Sequence, residues 1–277
     1  MVNESVKLDV DYEKAGLSPE GCAPTLDCLY NTFSEEIGPK HRRAVIICPG
    51  GGYDFLSDRE ADPVAFRFLA AGCAAFVLRY SVYKKKFPTD LLECAAAVKY
   101  VRDNAKRFDV DPDKIFVCGF SAGGHLAASA ANFYGSDIVT KALGCTAEDT
   151  KVNGSILCYP VITSDPKYTH EGSILNLIGE EQSKELRALV SLEDRVSSTT
   201  PPTFIWHCAD DGCVRVENSL RYMLALSSNN IPYEAHIYEY GGHGASLCDE
   251  TTSTNDWHIQ PVAAHWVQAA IDWVLRH

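Results

Sequence analysis

Short, unbroken apolar runs recur along this chain, with longer amphipathic stretches between them. Ala44–Cys48, Ala74–Leu78, Ile115–Cys118, Val152–Tyr159 and Thr203–Cys208 are such runs, the kind that a strand covered on both faces requires. Tyr233–Tyr240 predicts a further strand, and Val6–Val10 and Leu26–Tyr30 predict short edge strands within the polar segment 1–43. Between them, Ala61–Ala71 closed by Gly72 reads as a helix, and Asp90 can cap a longer one reaching about Arg107, with Leu91, Ala95, Val98 and Val101 at helical spacing. Asp109–Asp113, with Pro112, predicts a turn; Glu217–Ser227 and Val262–Leu275 predict helices, the second placing Trp266 and Trp273 on the sheet. Strand alternating with helix means a mostly parallel central sheet with helices on both faces, an α/β fold. One stretch breaks the rhythm. Ile162–Pro202 is polar, helical at Ser183–Val190 and without a strand pattern, and it predicts a small cap inserted about 162–202 into one domain spanning 1–277.

The centre of the pattern is Lys114–Asn132, KIFVCGFSAGGHLAASAAN. An apolar strand runs directly into Gly119-Phe120-Ser121-Ala122-Gly123 and then into an Ala-rich helix. Strand, tight Gly-x-Ser-x-Gly turn and helix are what a nucleophile elbow needs, because the turn lifts a serine hydroxyl clear of the sheet at the positive end of the helix. Ser121 is therefore the candidate nucleophile.

A serine at neutral pH needs a base, and the base an orienting acid. In this layout both lie after later strands, in the order Ser, Asp, His. Thr203–Cys208 is followed by Ala209-Asp210-Asp211-Gly212-Cys213-Val214, and Tyr233–Tyr240 by Gly241-Gly242-His243-Gly244. His243 is the candidate base, since glycines on both sides leave its backbone free to place the ring. The acid is Asp211 or its neighbour Asp210, with Asp211 favoured by its Asp-x-x-Val spacing to Val214. His125 reads as a packing residue on the helix after Ser121, His207 lies within a strand, and His170 has no partner suggested by position. Acyl transfer also needs N–H donors for a developing oxyanion. Ala122, directly after the serine, and Gly51 and Gly52 in the Pro49-Gly50-Gly51-Gly52-Tyr53 run are placed to supply them.

Bulk properties narrow the partners. A formal net charge of −12 and a pI near 5.2 argue against nucleic acid and anionic membrane surfaces. No run approaches the roughly 20 apolar residues of a membrane span, and MVNESVKLDVDYEKAG lacks the basic head and apolar core of a signal peptide. The eleven cysteines are scattered, odd in number and without a C-x-x-C pair, which fits free buried thiols in the cytoplasm better than a disulfide framework or a zinc site.

With these residues in view, the chain resembles the α/β-hydrolase superfamily and, within it, the acetyl-esterase group often described as xylan-esterase-like or lipase/esterase-like. The likeness rests on Ile47–Tyr53 (ICPGGGY), Gly119–Ala128 (GFSAGGHLAA), Pro201–Ser219 (PPTFIWHCADDGCVRVENS) and Gly241–Gly244 (GGHG). It departs from the usual pattern at Arg215, where that group has proline, and at Pro49-Gly50, where it has His-Gly. The resemblance implies a serine carboxylesterase acting on a small-molecule ester, with an acetyl group on a sugar as the favoured substrate, Tyr53 at the substrate, and no metal or organic cofactor. A feruloyl esterase, a small peptidase or amidase built on the same residues, and a catalytically silent binding protein are the alternatives. Homo-oligomerisation stays open.

Overall fold

The computed structural model describes residues 1–32, 35–180 and 183–277, so that Phe33, Ser34 and, inside the expected insertion, Glu181 and Gln182 lie outside the described residues. Eight strands form one sheet: β1 (Val2–Lys7), β2 (Thr25–Tyr30), β3 (Arg42–Cys48), β4 (Ala74–Arg79), β5 (Val110–Phe120), β6 (Gly154–Cys158), β7 (Thr203–Cys208) and β8 (Tyr233–Tyr238). Their order is β1-β2-β4-β3-β5-β6-β7-β8. Pairing from β4 through β8 is parallel, whereas β1 and β2 form an antiparallel pair that joins β4 antiparallel. This is the α/β-hydrolase fold.

Alternate residues of the central strands feed two cores. Ile46 and Val117 face one, with Leu91 and Val98 of α2 (Thr89–Asp103), Leu126 of α4 (Ala122–Phe133), Val139 of α5 (Asp137–Leu143) and Tyr222 of α8 (Glu217–Ser228). Val45, Ile47, Phe116 and Cys118 face the other, with Phe68 of α1 (Asp62–Ala70) and Trp266 and Trp273 of α9 (His265–Arg276). The two tryptophans pack on the sheet as expected. So do most of the cysteines: all eleven are free, with Cys213 exposed and Cys22 and Cys145 half-buried.

Several boundaries differ from the sequence reading, each for a local reason. The first strand is Val2–Lys7 rather than Val6–Val10; Leu8, Val10 and Tyr12 instead turn into the core. The long helix divides at Asn104, whose Nδ2 donates to the Tyr100 carbonyl, so that α2 gives way to α3 (Ala105–Phe108). Asp90 is buried inside the first turn of α2 and does not cap it; Pro88 holds the cap position. The expected turn at Asp109–Asp113 is reduced to Asp109, left-handed at φ 53°, and β5 starts at Val110, paired with Arg42 ahead of an irregularity in register. Helix α5, capped by Gly144, had no signal strong enough to be read. Two helices, α6 (Glu171–Ile178) and α7 (Lys184–Leu189), occupy 162–202, with no strand among the described residues there.

The chain order reverses direction across the sheet at β3: β4 lies on one side of it and β5 on the other. A crevice at the carboxyl ends of strands forms at such a switch point. The loop after β3 and the turn after β5 meet there because α4 starts very close to β3. A Cβ at Gly123 would stand 2.1 Å from the Cys48 carbonyl oxygen and 2.4 Å from that of Pro49. Gly123→Ala is expected to destabilise the protein by about 3 kcal/mol or more, whereas Gly212→Ala, which meets nothing within 4 Å, should be near neutral. Paired thermal or urea denaturation of the two variants checks this.

Candidate active site

Ser121 sits between β5 and α4 with φ 52° and ψ −117°, a strained conformation for a residue with a side chain. Its amide donates to the Cys158 carbonyl and its carbonyl accepts from Val161 and His125, so the turn is pinned from both directions. The hydroxyl oxygen lies 2.9 Å from Nε2 of His243. Nδ1 of His243 lies 2.7 Å from Oδ2 of Asp211. A carboxylate accepts only, so Nδ1 carries the ring proton and Nε2 is left to accept from the serine. The three residues predicted from separate loops are thus joined in one hydrogen-bonded line.

Asp211, rather than Asp210, reaches the imidazole. Oδ1 of Asp211 accepts from the amides of Cys213 and Val214, each at 2.9 Å, which explains the spacing to Val214. Oδ2 also meets Nε2 of His207 at 3.2 Å. Burial pushes the Asp211 carboxyl upward, but its bonds to His207 and His243 outweigh this and hold it well below the usual carboxylate range. Asp210 turns outward and accepts the Gly242 amide at 2.9 Å, tethering the loop that carries His243.

The loop after β3 presents amides. Its carbonyls are occupied: Gly50 accepts from Ser57, Gly51 from Asp54 and Phe55, and Gly52 from Nδ2 of Asn176 on α6. A trans peptide directs its C=O and N–H oppositely, so these bonds aim the Gly51 and Gly52 amides away from the 54–57 turn. The N–H groups of Gly51, Gly52 and Ala122 have no acceptor among the described residues. Gly51 must be glycine: its φ is +131°, and a Cβ would fall 2.0 Å from the Phe55 carbonyl oxygen.

One expectation fails. Tyr53 does not face the cleft. It is only 2% exposed, its hydroxyl donates to Nδ1 of His125 at 2.8 Å, and Nε2 of His125 donates to the Val190 carbonyl. Burial pushes His125 down to about 4, so the ring is a neutral link between this tyrosine and the segment after α7. The positive φ of Tyr53, 60°, turns its side chain beneath the loop. Asp54 and Phe55 line the cleft in its place.

The cleft itself measures about 380 Å³ and contains Ser121, His243, Gly51 and Gly52. Other walls come from residues that sequence reasoning missed: Arg59 and Glu60 ahead of α1, His170 and Asn176 from α6, and Cys213. Glu60 is 3% exposed. Oε2 accepts the Gly50 amide at 2.9 Å, Oε1 accepts the Tyr159 hydroxyl at 2.6 Å, and that hydroxyl in turn accepts the Ser246 amide at 3.0 Å. The Tyr159 ring stands edge-on to His243 with centroids 5.0 Å apart. One carboxylate therefore ties the glycine loop to the histidine loop, and burial raises its pKa against the bonds from Tyr159 and Gly50. The only sequence signal for it was a charged residue preceding a helix.

The BD-FAE family model matches residues 33–226. The chain belongs to this family. It is 34% identical over 215 residues to endo-1,4-beta-xylanase B of Butyrivibrio fibrisolvens, covering 76% of this chain and 33% of that protein. It is 31% identical over 207 residues to an acetylxylan esterase of Xylanibacter ruminicola, covering 73% of this chain and 41% of that protein. The chain thus spans a third to two fifths of the length of these curated relatives. Among solved structures, an acetyl ester-xyloside bifunctional hydrolase from Caldicellulosiruptor lactoaceticus superposes with a TM-score of 0.84 at 32% identity, covering 99% of this chain and 96% of that one. The BD-FAE chain is accordingly an esterase-like α/β hydrolase.

Two outcomes follow from the geometry of this BD-FAE member. Glu60→Gln puts an amide NH₂ against one of two donors; kcat should fall about 10- to 100-fold with KM little changed, read from steady-state ester hydrolysis. The depressed pKa of Asp211 makes its stabilisation complete above the unfolded value of about 3.9 and lost as pH falls below it. Denaturation midpoints measured from pH 6 to pH 2 should therefore fall less steeply below about pH 4 in Asp211→Asn than in the wild type.

Proposed function

We propose that the protein is a serine carboxylesterase that hydrolyses small acyl esters through a Ser121–His243–Asp211 triad, with acetyl groups on sugars or xylo-oligosaccharides as substrate. The observation that carries this reading is the line from Ser121 Oγ through His243 to Asp211, with steps of 2.9 and 2.7 Å, beside three amides without acceptors. The acetyl preference draws on the names of two relatives, an acetylxylan esterase and an acetyl ester-xyloside hydrolase.

Ser121 Oγ attacks the ester carbonyl as Nε2 of His243 takes its proton. Asp211 holds the ring orientation and stabilises the imidazolium that forms. The carbonyl oxygen becomes an oxyanion and is received by the Gly51, Gly52 and Ala122 amides. The tetrahedral species collapses, the C–O bond to the alcohol breaks, and Nε2 returns the proton to the departing oxygen. Water then attacks the acyl-serine, giving its proton to Nε2, and the acid leaves as Ser121 regains its hydrogen. The free thiols go with a reducing compartment, so a cytoplasmic location belongs to this reading; among the described residues no helix is long and apolar enough to cross a membrane.

Ser121→Ala should lower p-nitrophenyl acetate turnover by about a million-fold and abolish labelling by a fluorophosphonate probe. Turnover retained in that variant would remove the triad from consideration, and faster cleavage of an aminoacyl anilide than of an acetyl ester by the wild type would favour a peptidase.

A further inference from the structure

The segment 162–202 contributes one side chain whose chemistry the triad leaves unused. His170 stands at the N-cap of α6, where its Nδ1 accepts from the Ser173 amide at 3.3 Å and lies 2.8 Å from Ser173 Oγ. A backbone N–H can only donate, so Nδ1 is unprotonated and the neutral ring carries its hydrogen on Nε2. Burial, followed by the charge of His243, lowers the pKa of His170, which keeps the ring neutral. Nε2 has no partner among the described residues, yet the residue lines the same cleft as Ser121 and His243. A donor held in one tautomer by its own helix cap cannot serve as a base. It can hydrogen-bond an oxygen.

Which half of an ester lies beside it follows from the reaction. His243 returns its proton to the departing oxygen, so the alcohol half must sit next to that ring. His170 lines the same cleft as that ring, so an oxygen of the alcohol half comes beside it. The same helix sends Asn176 Nδ2 to the Gly52 carbonyl at 2.8 Å, so α6 is docked on the glycine loop and His170 is carried on a fixed wall.

We propose that His170 is a substrate-binding residue whose Nε2–H donates to an oxygen of the alcohol half of the ester, so that this wall selects esters of polyhydroxylated alcohols, sugars above all. The inference rests on the esterase reading and adds a selectivity to it. A neutral hydrogen bond of this kind corresponds to about a tenfold preference.

The test compares kcat/KM for a mono-O-acetyl methyl xyloside with that for ethyl acetate, in the wild type, in His170→Asn and in His170→Phe. Asparagine keeps a cap acceptor for Ser173 but withdraws the donor from the cleft; phenylalanine removes both. The preference for the sugar ester should fall about tenfold in both variants, mainly through KM. A preference identical in all three proteins overturns the role of His170 alone. A fall in His170→Phe that His170→Asn does not share also overturns it, because the helix cap then accounts for the effect. Wild-type protein that hydrolyses neither ester overturns the esterase reading and this inference together.

Discussion

Everything at the cleft depends on how closely α4 approaches the end of β3. Gly123 lets the first turn of the helix rest against the Cys48 and Pro49 carbonyls with no side chain between. That contact sets the Ser121 hydroxyl beside the glycine loop and holds the Ala122 amide at the helix start, where it has no intrahelical acceptor. The strain at Ser121, φ 52°, is the local cost, and the bonds from Cys158 and Val161 hold it in place. A larger residue at 123 would separate the hydroxyl from the amides.

Two buried carboxylates support this arrangement, and burial and hydrogen bonding balance differently at each. Asp211 is surrounded by donors, two amides and two imidazoles, and it remains an anion despite burial. Such an anion favours a positive charge on His243 when the ring accepts a proton. Glu60 has an amide and a phenol as donors, and for it burial dominates. Its value is geometric: through Gly50 on one side and Tyr159 with Ser246 on the other, it holds two loops that are remote in sequence at a fixed separation. The electrostatics and the positioning are thus divided between different acids, with Asp210 tethering the histidine loop from outside.

The segment 162–202 completes the cleft from above. Helix α6 meets the glycine loop through Asn176 and brings His170 to the wall. The segment after α7 is connected to the underside of the same loop through Val190, His125 and Tyr53. The glycine loop is therefore gripped on two sides by one segment of chain, which couples the shape of the cleft to residues that carry no catalytic signature in the sequence.

Much of the framework was legible because it rests on short-range rules. Apolar runs located the strands β3 to β7, and a strand, a tight turn and a small-residue helix located Ser121; Leu26–Tyr30, expected at an edge, lies inside the sheet because β1 pairs on its outer side. Chain order and glycine flanks located His243, and the spacing to Val214 distinguished Asp211 from Asp210. The departures have equally specific causes. An N-terminal strand was misplaced because burial of Leu8, Val10 and Tyr12 does not require extended pairing. Helix α2 ended early because the Asn104 side chain took a backbone carbonyl. Tyr53 was expected at the substrate from the family resemblance, and its left-handed backbone turned it inward to His125. By itself the sequence determined the secondary structure rhythm, the parallel sheet and the identities of three side chains that meet in one hydrogen-bonded line, all read from nearest neighbours, chain order and periodicity. The tertiary structure alone decided that Glu60, His170 and Asn176 belong to the same cleft, because hydrogen bonds between segments far apart in the chain leave no periodic mark on any one of them.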